Sequence, residues 1–183
     1  MEFMKVKALW KDYPENLYRV FLFKKDINLE EVNYYLCLLF KGRLTDEVVF
    51  ECNKDTFYGS NDFSETHDVI PYEGVKLSDV LDKYKQIIFR YDIDGDDYEF
   101  IVKRASKNTY EYPFKTSCIL VEAKGDGLLD GDISKLYEMM EAEEEMNSLG
   151  YNYYHSFDYD DINSKIILEE VDFPFTWQKE KDY

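Results

Sequence analysis

Residues 87–102, IIFRYDIDGDDYEFIV, constrain this fold more than any other stretch. Two apolar runs, Ile87 to Tyr91 and Tyr98 to Val102, flank six residues dense in Asp. Both runs are rich in aromatic and β-branched side chains, which fit a pleated, half-buried surface. Gly95 can adopt the positive φ of a tight reversal. The pattern therefore predicts an antiparallel hairpin turning within Asp92 to Asp97. A lone two-stranded hairpin is marginal in water, so other strands or helices must cover it.

The flanking sequence supplies them. Val6, Ala8 and Trp10 alternate with Lys5, Lys7 and Lys11, the period-two pattern of a strand. A turn at Pro14-Glu15-Asn16 leads into a second strand over Tyr18 to Phe23. Asn28 and Glu31 form a capping box, followed by Leu29, Val32, Leu36, Leu39 and Phe40 at helical spacing. They predict a helix over 29–40, ended by Gly42, before a strand over Val48 to Cys52. Residues 53–75 are polar and broken by Gly59, Pro71 and Gly74, and read as the longest and most mobile loop. Ser78 is placed as the cap of a short helix whose apolar side is Val80, Leu81 and Tyr84. A strand over Cys118 to Ala123 precedes a loop marked by Gly125, Gly127 and Gly131. Asp132 is expected to cap a helix over roughly 132–144, with Ile133, Leu136, Tyr137 and Met140 facing inward. Asp158 to Asp161 opens a last helix carrying Ile162, Ile166 and Ile167. No repeat or linker divides the chain. The expectation is one α+β domain over 1–172, a mostly antiparallel sheet with helices on one side. A C-terminal arm over 173–183, containing Pro174, follows it.

Composition narrows the function. With 17 Tyr and 13 Phe in 183 residues, the chain is far too aromatic for a disordered one. The longest unbroken apolar run, Tyr34 to Phe40, is too short to span a bilayer, and residues 1–10 lack a signal-peptide core. A cytoplasmic protein is expected. Three Cys, at 37, 52 and 118, form no CxxC pair and suit neither a disulfide framework nor a structural zinc site. Zinc would have to recruit its ligands from Cys37, Cys52, Cys118, His67 and His155 at distant positions, and Cys37 falls on the apolar side of the first helix. Asp92 to Asp96 superficially resembles a calcium loop, yet position six is Asp97 and position twelve is Lys103, where an EF-hand needs Gly and Glu. No nucleophile motif, phosphate loop or dinucleotide fingerprint occurs. No metal, cofactor or catalytic residue is therefore expected.

Charge is the remaining signal. The net charge is −17, and it is uneven: residues 1–91 hold 16 acids and 13 bases, residues 92–183 hold 23 and 9. The acids cluster at Asp92, Asp94, Asp96, Asp97 and Glu99, along Glu138, Glu141, Glu143, Glu144 and Glu145, and at Asp158, Asp160, Asp161, Glu169, Glu170 and Asp172. Such a field repels nucleic acid and anionic membranes and speeds encounter with basic partners. Tyr151, Tyr153 and Tyr154 lie beside the last cluster, and Tyr is enriched in protein interfaces. Solubility alone is the competing explanation.

The order of motifs resembles the plasmid pRiA4b ORF-3-like family, also described as transposon passenger proteins. The opening KVKALWKDYPENLYRVFLFKKDINLEEVNYYLCLLF is similar to that family's strand, turn, strand and first helix. Tyr91, Asp92, Gly95, Asp96, Asp97 and Tyr98 fall on its FxYxYDFGDDWEHxI motif, with one residue inserted before the acidic pair. The SFDYDDINSKI segment resembles its closing motif. The family's GWxxxHLHxF region is here GRLTDEVVFEC, without the Trp or the His pair. The resemblance implies a fold and a mobile-element setting, and it implies no metal or catalytic role at the missing positions. Together with the charge, it leads to the expectation of a non-enzymatic binding protein. The acids at 92, 94, 96, 97, 99, 141, 144, 145, 158, 160 and 161, with the three tyrosines, would engage a basic groove of a host nucleic-acid-handling protein. It would not bind nucleic acid itself. A phage or mobile-element inhibitor of host defence, an anti-CRISPR or anti-restriction DNA mimic, fits that description. The alternatives are a metal-dependent or hydrolytic enzyme using residues 92–99 and a soluble domain whose acidity serves only solvation.

Overall fold

A computed structural model describes residues 1–40, 47–60, 68–93, 96–113, 116–125, 127–128 and 133–149. The described elements are β1 (Glu2–Trp10), β2 (Tyr18–Lys24), α1 (Leu29–Leu39), β3 (Val48–Asn53), β4 (Thr56–Gly59), β5 (Ile70–Pro71), α2 (Leu77–Tyr84), β6 (Gln86–Ile93), β7 (Asp96–Glu111), β8 (Cys118–Lys124) and α3 (Ile133–Ser148). The strands form one sheet in the order β5-β4-β3-β6-β7-β1-β2-β8. Every pairing is antiparallel except β4 with β5. The fold is α+β, as the patterning predicts.

The helices cover one face of the sheet. Met4, Val6, Ala8 and Trp10 of β1 point to that face, with Phe21 and Phe23, Phe50, Phe89, Phe100 and Val102 from the neighbouring strands. Buried residues of all three helices join the same cluster. Ring contacts run across it, with Phe40 to Phe100 at 4.3 Å and Phe50 to Phe89 at 5.1 Å. This explains the aromatic excess: each ring removes 150–250 Å² from water and spans the gap between layers. α1 starts at the predicted capping box: Asn28 Oδ1 accepts from the Glu31 N–H at 2.8 Å, and the Glu31 carboxylate accepts from the Asn28 N–H at 3.3 Å. At its other end the buried Arg19 donates to the Leu39 carbonyl at 2.9 Å and lies over the Phe40 ring. A cation there complements the negative end of the helix.

Three expectations need correction. Residues 53–75 are not simply a loop: they contain β4 and β5, and residues 61–67 lie outside the described residues. The Asn53 side chain accepts from the Asp55 N–H at 2.8 Å, an Asx-turn that folds β4 back on β3. Ser78 is not a cap. Lys76 occupies that position, and the Leu77 N–H is satisfied by the Ile27 carbonyl at 3.0 Å. Ser78 is buried within the helix and donates to Asp79. Finally, β7 does not stop at Val102 but runs on to Glu111. Its second half is polar and holds no strand pattern of its own. It extends because β1 supplies a ladder, with Phe3 opposite Tyr110 and Met4 opposite Thr109. The α3 helix matches its expected inward face, Leu136 and Met140 being buried. The capping role of Asp132, the helix after Asp158 and the C-terminal arm fall outside the described residues.

Candidate partner-binding surface

Hairpin β6–β7 sets the first group of acids. Its register places Ile93 opposite Asp96, Asp92 opposite Asp97, Tyr91 opposite Tyr98 and Arg90 opposite Glu99. Tyr91 and Tyr98 are fully buried toward the helices. Period two then sends Arg90, Asp97 and Glu99 to the other face. There Arg90 is the hub of a network. Its Nε donates to Glu51 Oε2 at 2.8 Å, it reaches Asp97 Oδ2 at 3.4 Å, and it pairs with Glu99. Lys11 binds the second oxygen of Glu99, and this bond raises its amine above the ordinary lysine range. Burial pushes the Asp97 carboxyl above its usual value, with Arg90 pulling the other way.

The network divides the predicted acids. The Glu99 side chain is only 18% exposed and is held by two cations, whereas Asp97 is 52% exposed. Asp92 is exposed. Glu99 thus anchors the base of the hairpin, and Asp92 and Asp97 present charge. Asp94 lies outside the described residues, and of Asp96 only the backbone is described.

The second group sits on α3. Glu138, Glu141, Glu144 and Glu145 are all exposed. The helix is fixed to the end of β1 through an aromatic cluster: Tyr137 to Trp10 at 5.0 Å, Tyr137 to Tyr13 at 5.9 Å and Trp10 to Tyr13 at 5.4 Å. The Tyr137 hydroxyl donates to the Asp12 carboxylate. Burial, this hydrogen bond and the charge of Asp12 push the Tyr137 phenol up to about 12, and Glu99 adds to the effect. Burial likewise raises Tyr13, followed by the charges of Glu141, Glu144 and Asp12.

Geometry links the two groups. Lys11 pairs with Glu99 of the hairpin, and the adjacent Asp12 accepts from Tyr137 of the helix, whose ring packs on Tyr13. Backbone contact reinforces the junction, the Lys11 N–H bonding the Glu99 carbonyl at 2.9 Å. Acids remote in sequence therefore converge on one end of the sheet around Lys11, Asp12 and Tyr13. Tyr151, Tyr153, Tyr154, Asp158, Asp160 and Asp161 lie outside the described residues.

Sequence reasoning did not single out Arg90, Lys11, Asp12, Tyr13 or Tyr137 as parts of this surface. A signal existed for Arg90 only: a reversal centred on Asp94-Gly95 puts it opposite Glu99. The junction at Asp12 depends on tertiary docking of α3.

The cysteines and histidines form no comparable group. Cys37 and Cys118 are buried, and burial pushes the half-buried Cys52 thiol up to about 11, far from a reactive thiolate. Among the described residues, no three His, Cys, Asp or Glu side chains converge as a metal site. His67 and His155 lie outside the described residues. No described helix is long and apolar enough to cross a membrane. A surface recess of about 440 Å³ beside the N-terminus, lined by Glu2, Lys24, Lys25, Asp26, Lys76 and Asp79 among others, is neutralised internally. Lys24 pairs with Asp26 at 3.3 Å and Lys25 with Glu2 at 2.8 Å.

No family model matches this chain, and no curated protein matches it. Among solved structures, its fold is similar to that of MM3350 from Methanosarcina mazei Go1, described as a protein of unknown function. The likeness has a TM-score of 0.64 at 16% identity and covers 87% of this chain and 97% of that one. It is a likeness of fold.

Proposed function

We propose that this protein is a non-enzymatic binding module whose acidic end engages a basic groove of a nucleic-acid-handling protein. The observation that carries the reading is the docking of α3 on the end of β1: Tyr137 donates to Asp12, Lys11 beside it binds Glu99 of the hairpin, and the exposed Glu141 and Glu144 follow Tyr137 on the helix. Acidity serving solvation alone needs no such gathering. Duplex DNA carries one charge per about 1.7 Å of axis, and clustered carboxylates offer the same Lys and Arg side chains a comparable field. Tyr13 and Tyr137 add aromatic surface beside the charge, the kind of group that anchors interfaces. An inhibitor of host defence from a phage or mobile element, of anti-CRISPR or anti-restriction type, would use such a surface. Membership of the pRiA4b ORF-3-like family is part of this proposal.

The test is competitive and kinetic. A basic nucleic-acid-binding protein recovered from lysate on the immobilised chain should be displaced by duplex DNA and by rising salt. Reversing charge at Glu141, Glu144 and Glu145 together, or at Asp94, Asp96 and Asp97 together, should slow its association about tenfold and change dissociation less. Both variants should stay folded, since like-charged acids on a helix or in a turn contribute little stability. Unchanged association of both variants across a salt series would reject the reading.

A further inference from the structure

Among the described residues, α3 is packed along only its first half. Ile133, Leu136, Tyr137 and Met140 meet the core. Glu144 follows Tyr137 at i+7 and Met140 at i+4, on the same side of the helix, yet it is exposed. Packing therefore ends at Met140, and Glu141, Ala142, Glu144, Glu145, Ser148 and Leu149 are all exposed. This half nevertheless carries apolar side chains. Met139 is 37% exposed and Leu149, just past the end of α3, is 65% exposed. The Leu149 N–H still bonds the Glu145 carbonyl at 3.2 Å, so the helical turn reaches it. Met139, Ala142 and Leu149 stand at i, i+3 and i+10, the spacing of a heptad seam, and the seam faces away from the packed stripe. Glu138 and Glu145, one heptad apart, border it, and neither makes an ion pair among the described residues. Helices in proteins are held chiefly by the packing of an apolar face, and this one turns a second apolar stripe to the outside.

We infer that the outer seam of α3 docks an amphipathic helix of the partner, apolar along one stripe and bordered by Lys and Arg. The inference rests on the proposed function and names the element on the wall of the partner's basic groove that the acidic end takes. Met139 and Leu149 would meet the apolar stripe, the way amphipathic helices lay their anchors on a partner. Methionine, flexible and polarisable, suits such a surface. Glu138 and Glu145 would meet the bordering bases, as charges beside a helical seam select the partner in coiled coils. A second copy of this chain fits badly, because it brings the same glutamates and another net charge of −17. Nucleic acid is repelled by that charge and has no apolar stripe for the seam. Acidity for solvation alone needs no apolar residues at heptad spacing between the acids.

The probe is a fluorescein-labelled peptide of about three heptads, with Leu at the seam positions and Lys elsewhere, followed by anisotropy with the full chain. A control peptide of the same composition in scrambled order has the same charge and no apolar stripe. The amphipathic peptide should bind about tenfold more tightly than the control. The Met139→Ser, Leu149→Ser double variant should remove most of that difference and leave binding of the control unchanged, since no charge has moved. Both side chains are exposed, so this variant should unfold at the wild-type midpoint. If it does not fold, Ala142→Glu decides the matter: it should weaken the amphipathic peptide although it adds negative charge. The Glu138→Gln, Glu145→Gln double variant should weaken both peptides. Equal binding of the two peptides, unaffected by the seam variants, would overturn the inference and leave the proposed function standing, because charge alone would then do the binding. Binding of neither peptide would reject both. The inference also falls if the Gln variant binds the amphipathic peptide like wild type, or if sedimentation shows a dimer of the chain that the seam variant abolishes, which would assign the seam to a second copy.

Discussion

Gly125 shows how a single residue joins two parts of the fold. It follows β8 with φ +74°, a conformation that costs little only for glycine. Space is equally limiting: a Cβ there would lie 2.6 Å from the Asn16 carbonyl oxygen and 2.9 Å from Leu17 Cδ1. Backbone cannot yield as a flexible side chain can. Gly125→Ala should therefore destabilise the protein by about 2 kcal/mol or more, combining dihedral strain with displacement of the β1–β2 connection. Urea unfolding measures it, and a loss below about 0.5 kcal/mol would show that the turn relaxes freely. The sequence marks Gly125 as a loop glycine, but its closeness to Asn16 and Leu17 follows from β2 pairing with β8, which nothing local encodes.

At the scale of elements, the docking of α3 on the end of β1 is testable through Tyr137. Its phenol is raised from 10.0 to about 12 in the folded chain, mainly by burial and then by Asp12. The neutral phenol is thus the form the fold favours. The resulting stability is fully present below the unfolded value near 10 and is lost as the pH climbs through about 12. Tyr137→Phe removes both the hydrogen bond and the titration. It should be about 1 kcal/mol less stable than wild type at neutral pH. That gap should close between about pH 10 and 12, where ionised Tyr137 would repel Asp12. Chemical unfolding of the two proteins across this range provides the check, and a gap independent of pH would rule out the proposed docking contact. Legibility also differs by element. α1 and the β6–β7 hairpin were readable because their determinants are local: a capping box, helical spacing, and two alternating runs about a turn. The second half of β7 was not, because β1 rather than its own side chains holds it in the sheet. Ser78 has the sequence signature of a cap without the role, because a distant carbonyl, that of Ile27, does what a capping side chain would do. The acids of the candidate surface were visible individually, but their meeting at Asp12 belongs to the packing of α3.

Across the whole molecule, charge is spent against stability. A net charge of −17 works against the compact state through self-repulsion. The cost is sharpest on α3, where Glu141 faces Glu144 at i+3 and Glu145 at i+4, the spacings at which like charges oppose a helix. Among the described residues, none of these three side chains makes an ion pair. Changing Glu141, Glu144 and Glu145 together to Gln keeps the side-chain size and good helix propensity while removing three charges. The triple variant should be more stable than wild type by up to about 1 kcal/mol at low salt. The gain should shrink as salt screens the wild-type repulsion, the Debye length falling from roughly 30 Å at 0.01 M to about 3 Å at 1 M. Thermal unfolding of both proteins across that series measures it. A triple variant less stable than wild type at low salt would mean that these acids hold the fold together. If it is more stable yet associates more slowly with a basic partner, the acids lower stability and serve binding at the same positions, and solvation alone would not account for their placement.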